Sequence, residues 1–343
     1  MVVGGGIVGC MTALMLADFG CQVTVVERNK IAAQTSGESS WAGAGILFPL
    51  LPWFYKDEVN ALALEGASLY PTICQRLLDV TGIDPEYTQS GMLIEPPFDA
   101  VLAHDWCAKH DIETQQVGDK LLLPQVAQVR NPRLLQALKA MLIQQNVTLL
   151  EQTQLVPLTC DAKIDCWQAH VKEASGLGEK ILLQADAFVV TSGAWSFELL
   201  KETAAGLNIK PMRGQILLYK LDYEKFPKKS TQYILYREGF YMVPRRDGYL
   251  LAGSTLEDVG FDTRTTEEVK LELQAKAEAI MPCLKHVPII QHWSGLRPGT
   301  PDNLPTIAKH PIIENLYMNT GHFRYGLTMS PASAARITKL VCS

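Results

Sequence analysis

The first nine residues, Met1-Val2-Val3-Gly4-Gly5-Gly6-Ile7-Val8-Gly9, constrain the fold more than any other stretch. Gly4, Gly6 and Gly9 satisfy G-x-G-x-x-G, the apolar residues before them read as a strand, and residues 10–19 read as a helix. Such a turn aims backbone N–H groups from a helix N-terminus, where the helix dipole favours a pyrophosphate. Gly4 permits the tight turn, Gly6 lets a phosphate approach the backbone, and Gly9 lets helix and strand pack closely. After Gly20, residues 21–26 read as a second strand ending at Glu27. An acidic residue about 20 positions past the fingerprint is where an acceptor for ribose hydroxyls belongs. The spacing predicts a β-α-β unit carrying a dinucleotide site.

The chain is long enough for one large or two moderate domains, with 343 residues of which 47% are hydrophobic. A net charge of -5 gives no basic surface for nucleic acid or an acidic membrane. The N-terminal apolar residues are used by the strand-turn-helix unit, so no signal peptide is expected. No run reaches the ~18 apolar residues of a membrane span. The apolar stretch Ile46-Leu47-Phe48-Pro49-Leu50-Leu51-Pro52-Trp53-Phe54-Tyr55 is broken by two prolines and reads as core or pocket wall. Cysteines stand at 10, 21, 74, 107, 160, 166, 283 and 342, without C-x-x-C or zinc spacing. Reduced thiols in a cytoplasmic protein without a metal centre are the plain expectation.

Further helices are expected at 58–80, 132–145, 267–281 and from about Pro331. Residues 147–150 read as a parallel strand. Residues 187–191 form a fully apolar strand running into Ser192-Gly193-Ala194-Trp195, a second strand-to-glycine turn aimed at the same site. Between about 214 and 254 the pattern changes to short strands at 215–221, 232–236, 240–243 and 249–252, joined by turns such as Asp247-Gly248. The expected fold is α/β: a Rossmann-like dinucleotide-binding domain with an inserted α+β domain built on an antiparallel sheet.

Three further constellations carry chemistry. Ser39-Ser40-Trp41-Ala42-Gly43-Ala44-Gly45 is small and glycine-rich, so a planar ring can lie close to its backbone; a surface turn is the bland alternative. Trp293-Ser294-Gly295-Leu296-Arg297-Pro298-Gly299-Thr300-Pro301-Asp302 holds an arginine in a rigid, low-charge frame suited to bidentate capture of a carboxylate, or to a structural ion pair. Gly321-His322-Phe323-Arg324-Tyr325-Gly326 precedes a helix, and its backbone N–H groups suit the carbonyls of a ring. For His322, a satisfied core histidine is a simpler reading than a catalytic base.

These stretches, with Val129-Arg130-Asn131-Pro132-Arg133 and Phe240-Tyr241-Met242-Val243-Pro244-Arg245, make the chain resemble the D-amino-acid oxidase superfamily of flavoproteins. Within it, the chain resembles the bacterial glycine oxidases of thiamine biosynthesis. The resemblance implies noncovalent FAD, since no cysteine lies in 320–333. Gly4, Gly6, Ile7, Val8 and Gly9 would serve the pyrophosphate, and Glu27 and Arg28 the adenosine ribose. Ser39, Ser40, Ala44, Gly45 and Ile46 would line the cofactor, with Gly193, and Leu155 would touch the adenosine half. His322, Phe323, Arg324, Tyr325, Gly326, Leu327 and Thr328 would contact the flavin. Arg297 would clamp the substrate carboxylate, Tyr241 would donate a hydroxyl to it, and Arg324 would stand near substrate and flavin. The implied reaction oxidises a small amino acid such as glycine, with molecular oxygen as acceptor, and a homotetramer is the implied assembly. The implied division is 1–82, 124–210 and 295–343 for the FAD domain and 83–123 and 211–294 for the substrate domain.

Relative to that superfamily the chain is short before Val2, after Val341 and around 119–121, where an expected loop and strand are hard to find. The pocket volume depends on Ile46, Phe48 and Trp53. Competing readings are a sarcosine, D-amino-acid or other secondary-amine oxidase, a quinone-linked dehydrogenase, and a non-catalytic flavin subunit of an oxidase complex. A nicotinamide-dependent dehydrogenase leaves the 321–326 loop unexplained.

Overall fold

The computed structural model describes residues 1–35, 37–159, 162–173, 176–222, 224 and 232–343. The opening residues form the strand Val2–Val3, the turn and the helix Ile7–Asp18, followed by the strand Thr24–Val26. These two strands pair in parallel, and Phe188–Val190 pairs in parallel on the other side. The complete six-stranded sheet runs Thr306–Lys309, Leu316–Thr320, Phe188–Val190, Val2–Val3, Thr24–Val26, Thr148–Leu150, with only the first pair antiparallel.

Side chains alternate across this sheet as strand geometry demands. Val2, Val25 and Val189 enter one core with the helices Ile7–Asp18, Asp57–Thr81, Asn131–Gln144 and Gly326–Val341. Val3, Val26 and Val190 enter a second core with Leu155, Trp167 and Leu183. Those residues belong to a three-stranded sheet, Thr153–Leu155, Trp167–Glu173 and Gly176–Leu183, which the sequence pattern did not announce.

A second large sheet has eight strands in the order Ile289–Gly299, Lys210–Lys220, Tyr249–Gly253, Phe240–Pro244, Ile234–Arg237, Met92–Ile94, Lys120–Leu123, Gln115–Val117. It is antiparallel except where Ile234–Arg237 runs parallel to Met92–Ile94. One face buries Ile216, Tyr241, Val243, Leu251 and Trp293, and the other buries Leu217, Tyr219, Met242 and Leu250 beneath the helix Glu267–Ile280.

Residues 115–123 form a tight hairpin, with Val117 paired to Lys120 across Gly118 at φ +65°. The Arg297 stretch lies in the eleven-residue strand Ile289–Gly299. One expectation is corrected: the last helix begins at Gly326 rather than near Pro331, which lies inside it. Proline cannot donate to the carbonyl four residues earlier. Here that carbonyl, on Leu327, accepts from Tyr70 Oη at 2.6 Å and Ser330 Oγ at 2.9 Å, so the missing bond costs little. The seven cysteines other than Cys160 are free thiols, and Cys160 lies outside the described residues. Among the described residues, no helix is long and apolar enough to cross a membrane, and no cluster has metal-ligand composition.

Candidate active site

The two large sheets meet at a cavity of about 320 Å³. Its wall contains every residue singled out above as a site candidate except Gly9. Gly9 instead sits where helix and strand touch: a Cβ there would lie 1.8 Å from the Gly4 carbonyl oxygen, and Gly4 itself holds φ +111°. Gly6, Ile7 and Val8 bring the N-terminus of the opening helix to the wall, with no acidic side chain in its first turn. Gly6 as N-cap has no side chain to cap that helix, and Ser40 Oγ accepts the Ile7 N–H at 2.9 Å. Ser40 belongs to a one-turn helix, Ser39–Ala42, so the glycine-rich stretch is ordered cavity wall rather than a surface turn.

The carboxylates on the wall are Glu27, Glu38 and Glu198. Glu27 accepts the Gly5 N–H at 2.8 Å and the Asn29 N–H at 2.9 Å. Burial raises its pKa, with those N–H groups and Arg28 opposing and Glu38 reinforcing. Its two oxygens retain lone pairs for ribose hydroxyls. Arg28 lies 3.5 Å above the Trp195 ring and 3.4 Å from Glu38. Leu155 lies nearby on the wall, and Gly193, at φ +54°, opens the turn that carries Trp195.

The cationic part of the wall is built by the eight-stranded sheet and the 322–328 loop. Arg297 is opposite Met212 in the paired strands, and Gly214 follows on the same face. The guanidinium crosses over Gly214, where a Cβ would lie 2.1 Å from Nη1. It then donates from Nη1 to the Thr255 carbonyl at 3.1 Å and from Nη2 to Ser254 Oγ at 2.7 Å. Neither partner is a carboxylate, and no ion pair forms on Arg297 among the described residues, so the salt-bridged structural reading fails. Burial lowers its pKa from the usual arginine value, while the neighbouring Tyr241 hydroxyl raises it. Arg324 is exposed on the same wall, with its guanidinium 5.5 Å from the Phe323 ring.

His322 is buried, and its Nε2 has no hydrogen-bond partner among the described residues. Burial pulls its pKa down to about 3, so the ring is neutral at ordinary pH. A satisfied core histidine is therefore not what stands here. Tyr325 Oη accepts the Leu50 N–H at 3.1 Å, and Thr328 Oγ1 donates to the Ile46 carbonyl at 3.0 Å, binding the 322–328 loop to the 46–50 segment. Ile46 and Phe48 line the cavity, but Trp53 does not; it packs in the core with Phe48 and Trp106. Residues on the wall that sequence reasoning passed over include Glu38, Gly214, Ser254 and Asn319. Trp195 lines it as well, with the rest of the 192–195 turn.

These features fit a flavin dinucleotide: a helix N-terminus without acidic residues, a carboxylate for a ribose, and a buried imidazole nitrogen on the wall with no partner among the described residues. Together with the parallel sheet they define a Rossmann-like α/β protein that holds a nucleotide cofactor. A family model described as DAO, FAD dependent oxidoreductase, matches residues 1–340. The chain belongs to this family, and its cofactor is FAD, held noncovalently; among the described residues no cysteine lies on the cavity wall. It is 38% identical to a glycine oxidase of Pseudomonas aeruginosa, over 99% of this chain and 94% of that protein. It is 30% identical to a bifunctional ThiO/ThiG protein of Trichormus variabilis, over 99% of this chain and 52% of that protein. A crystal structure of glycine oxidase from Bacillus cereus superimposes with a TM-score of 0.86 at 24% identity, covering 99% of this chain and 93% of that one.

Proposed function

We propose that this enzyme oxidises glycine, or a similarly small amino acid, at the Cα–N bond. Glycine, oxygen and water give glyoxylate, ammonia and hydrogen peroxide, with the imine that precedes hydrolysis available for thiamine thiazole synthesis. Bound FAD supplies the two-electron chemistry, taking up the electrons released at Cα and passing them to oxygen. Arg297 holds the substrate carboxylate as a planar fork, and Tyr241 donates its hydroxyl to the same group. Arg324 borders the substrate. Gly4, Gly6, Ile7 and Val8 hold the pyrophosphate, with Gly9 keeping the helix close. Glu27 and Arg28 hold the adenosine end with Leu155 and Gly193. Ser39, Ser40, Ala44, Gly45 and Ile46, with the 322–328 loop, bracket the ring.

No protein base is required when the amine is neutral, because its lone pair drives departure of hydrogen from Cα. The neutral His322 agrees with this, since a group with a pKa of about 3 is a poor base for an amine. The observation that carries the reading is the Arg297 guanidinium on the cavity wall with two neutral acceptors and, among the described residues, no carboxylate. The division into an FAD domain (1–82, 124–210, 295–343) and a substrate domain (83–123, 211–294), a homotetrameric assembly and a cytoplasmic location belong to the same proposal.

An anaerobic scan of the purified holoenzyme with glycine, sarcosine, D-alanine and D-proline tests it by flavin absorbance. Glycine should bleach the flavin, and readmitted air should restore it with peroxide release. Bleaching only by a larger or secondary amine would move the substrate assignment. Reduction without peroxide on exposure to air would indicate a quinone-linked dehydrogenase.

A further inference from the structure

We infer that Glu257 is a positioning residue for the carboxylate clamp, acting from the opposite side of the sheet to Arg297. The inference rests on the reading that Arg297 binds the substrate carboxylate. In the strand Lys210–Lys220, Gly214 shares the face of Arg297, while Arg213 and Gln215 point the other way. Both of these reach Glu257. Its carboxylate accepts from Arg213 Nη2 at 2.6 Å and Nε at 3.2 Å, from Gln215 Nε2 at 3.0 Å, and from Thr255 Oγ1 at 2.5 Å. The backbones of Arg213 and Glu257 also exchange N–H···O bonds, at 2.9 Å in each direction.

Thr255 is the pivot. Its hydroxyl points to Glu257 and also accepts the Gln215 N–H at 2.9 Å, while its carbonyl accepts Arg297 Nη1 at 3.1 Å. Ser254, the other acceptor of Arg297, is its neighbour. Residues 254–257 are tied to the strand Lys210–Lys220 by the bridge at Glu257 and by the Thr255 N–H on the Gln215 carbonyl at 3.3 Å, and the Glu257 carboxylate adds the Thr255 hydroxyl to that anchorage, so it helps set where the two acceptors stand. Arg213 is itself held, through Nη1, by the Arg264 carbonyl at 2.8 Å and by the Asp262 carboxylate at 3.3 Å. Glu257 stays ionised below the usual glutamate range: burial opposes this, and the donors from Arg213, Thr255 and Gln215 outweigh it. The fork of Arg297 is therefore aimed by a charged, fully occupied carboxylate that never touches the substrate.

The test is a double-mutant cycle on the FAD-loaded enzyme, with acetate as a non-reacting carboxylate and the flavin spectrum as readout. Glu257→Gln should weaken acetate about 5- to 30-fold and raise the glycine KM by a similar factor, with kcat at saturation within about threefold of wild type. In an Arg297→Ala background, Glu257→Gln should change acetate binding less than about twofold, because the group it aims is gone. Thr255→Val should repeat both results if Glu257→Gln folds poorly. A purely structural role predicts lower thermal stability and FAD retention with acetate affinity unchanged, or equal losses in both backgrounds; either result overturns the inference. If Arg297→Ala itself leaves acetate binding intact, the clamp reading is what fails.

Discussion

Replacing Gly214 by alanine tests the clamp without touching Arg297. The added Cβ would stand 2.1 Å from Arg297 Nη1 and 2.5 Å from both Cζ and Nη2. Ordinary contact begins at 3.4 Å, so the guanidinium must retreat by about 1.3 Å. It is the far end of a flexible side chain, so the sheet tolerates the change and the cost falls on the clamp. A displacement of that size breaks at least one of the bonds to the Thr255 carbonyl and Ser254 hydroxyl, and it shifts the fork from its place on the cavity wall. A charge-assisted pair contributes about 1.5–3 kcal/mol, which corresponds to about 10- to 150-fold. A misplacement of about 1 Å can cost about 100-fold in turnover efficiency. We expect kcat/KM for glycine to fall 10- to 150-fold by these figures, mainly through KM, with FAD content and melting temperature near wild type. Peroxide release under steady-state conditions and a thermal melt measure both. A glycine KM within twofold of wild type would refute the crossing of Arg297 over Gly214 as the basis of binding.

Three other predictions follow from the geometry. Gly9→Ala sets a methyl 1.8 Å from the Gly4 carbonyl, where backbone must move, and should lower stability by more than about 3 kcal/mol and abolish FAD retention; a melt and a flavin spectrum check it. His322 has a folded pKa of about 3 against an ordinary 6.5, so as pH falls below about 6.5 the unfolded chain takes a proton that the folded one refuses. Its share of stability is intact above pH 6.5 and declines by up to about 1.4 kcal/mol per pH unit down to about 3, and denaturant melts of His322→Asn should lack that slope. Finally, kcat/KM for glycine should rise with pH as the substrate amine deprotonates, since neither His322 nor a wall carboxylate beside Arg297 is available as base; a flat profile between about pH 6 and 10 would contradict this.

The cofactor half of the site was legible because its determinants are local. Strand, turn, helix, second strand and Glu27 follow one another within 27 residues, and each has its own spacing signal. The substrate half depends on pairing between distant segments. Lys210-Pro211-Met212-Arg213-Gly214 and Leu296-Arg297-Pro298-Gly299 contain proline and glycine and look unlike strands, yet they pair from Lys210↔Gly299 onward along two long strands. Gly214 gave no local sign that an arginine 83 positions later would lie across it. The helix start at Gly326 was missed for a similar reason: Tyr70, far away in the chain, supplies the hydrogen bond that Pro331 cannot. The motif drew attention to Arg297, but its lack of an ion pair among the described residues is a fact of tertiary structure.

The most direct measurement is a flavin-difference titration of the FAD-loaded wild type and Arg297→Ala with acetate. The account predicts saturable spectral changes in the wild type and a dissociation constant about 10- to 150-fold weaker in the variant, with FAD still bound. Equal dissociation constants, or no acetate response in the wild type, would contradict it.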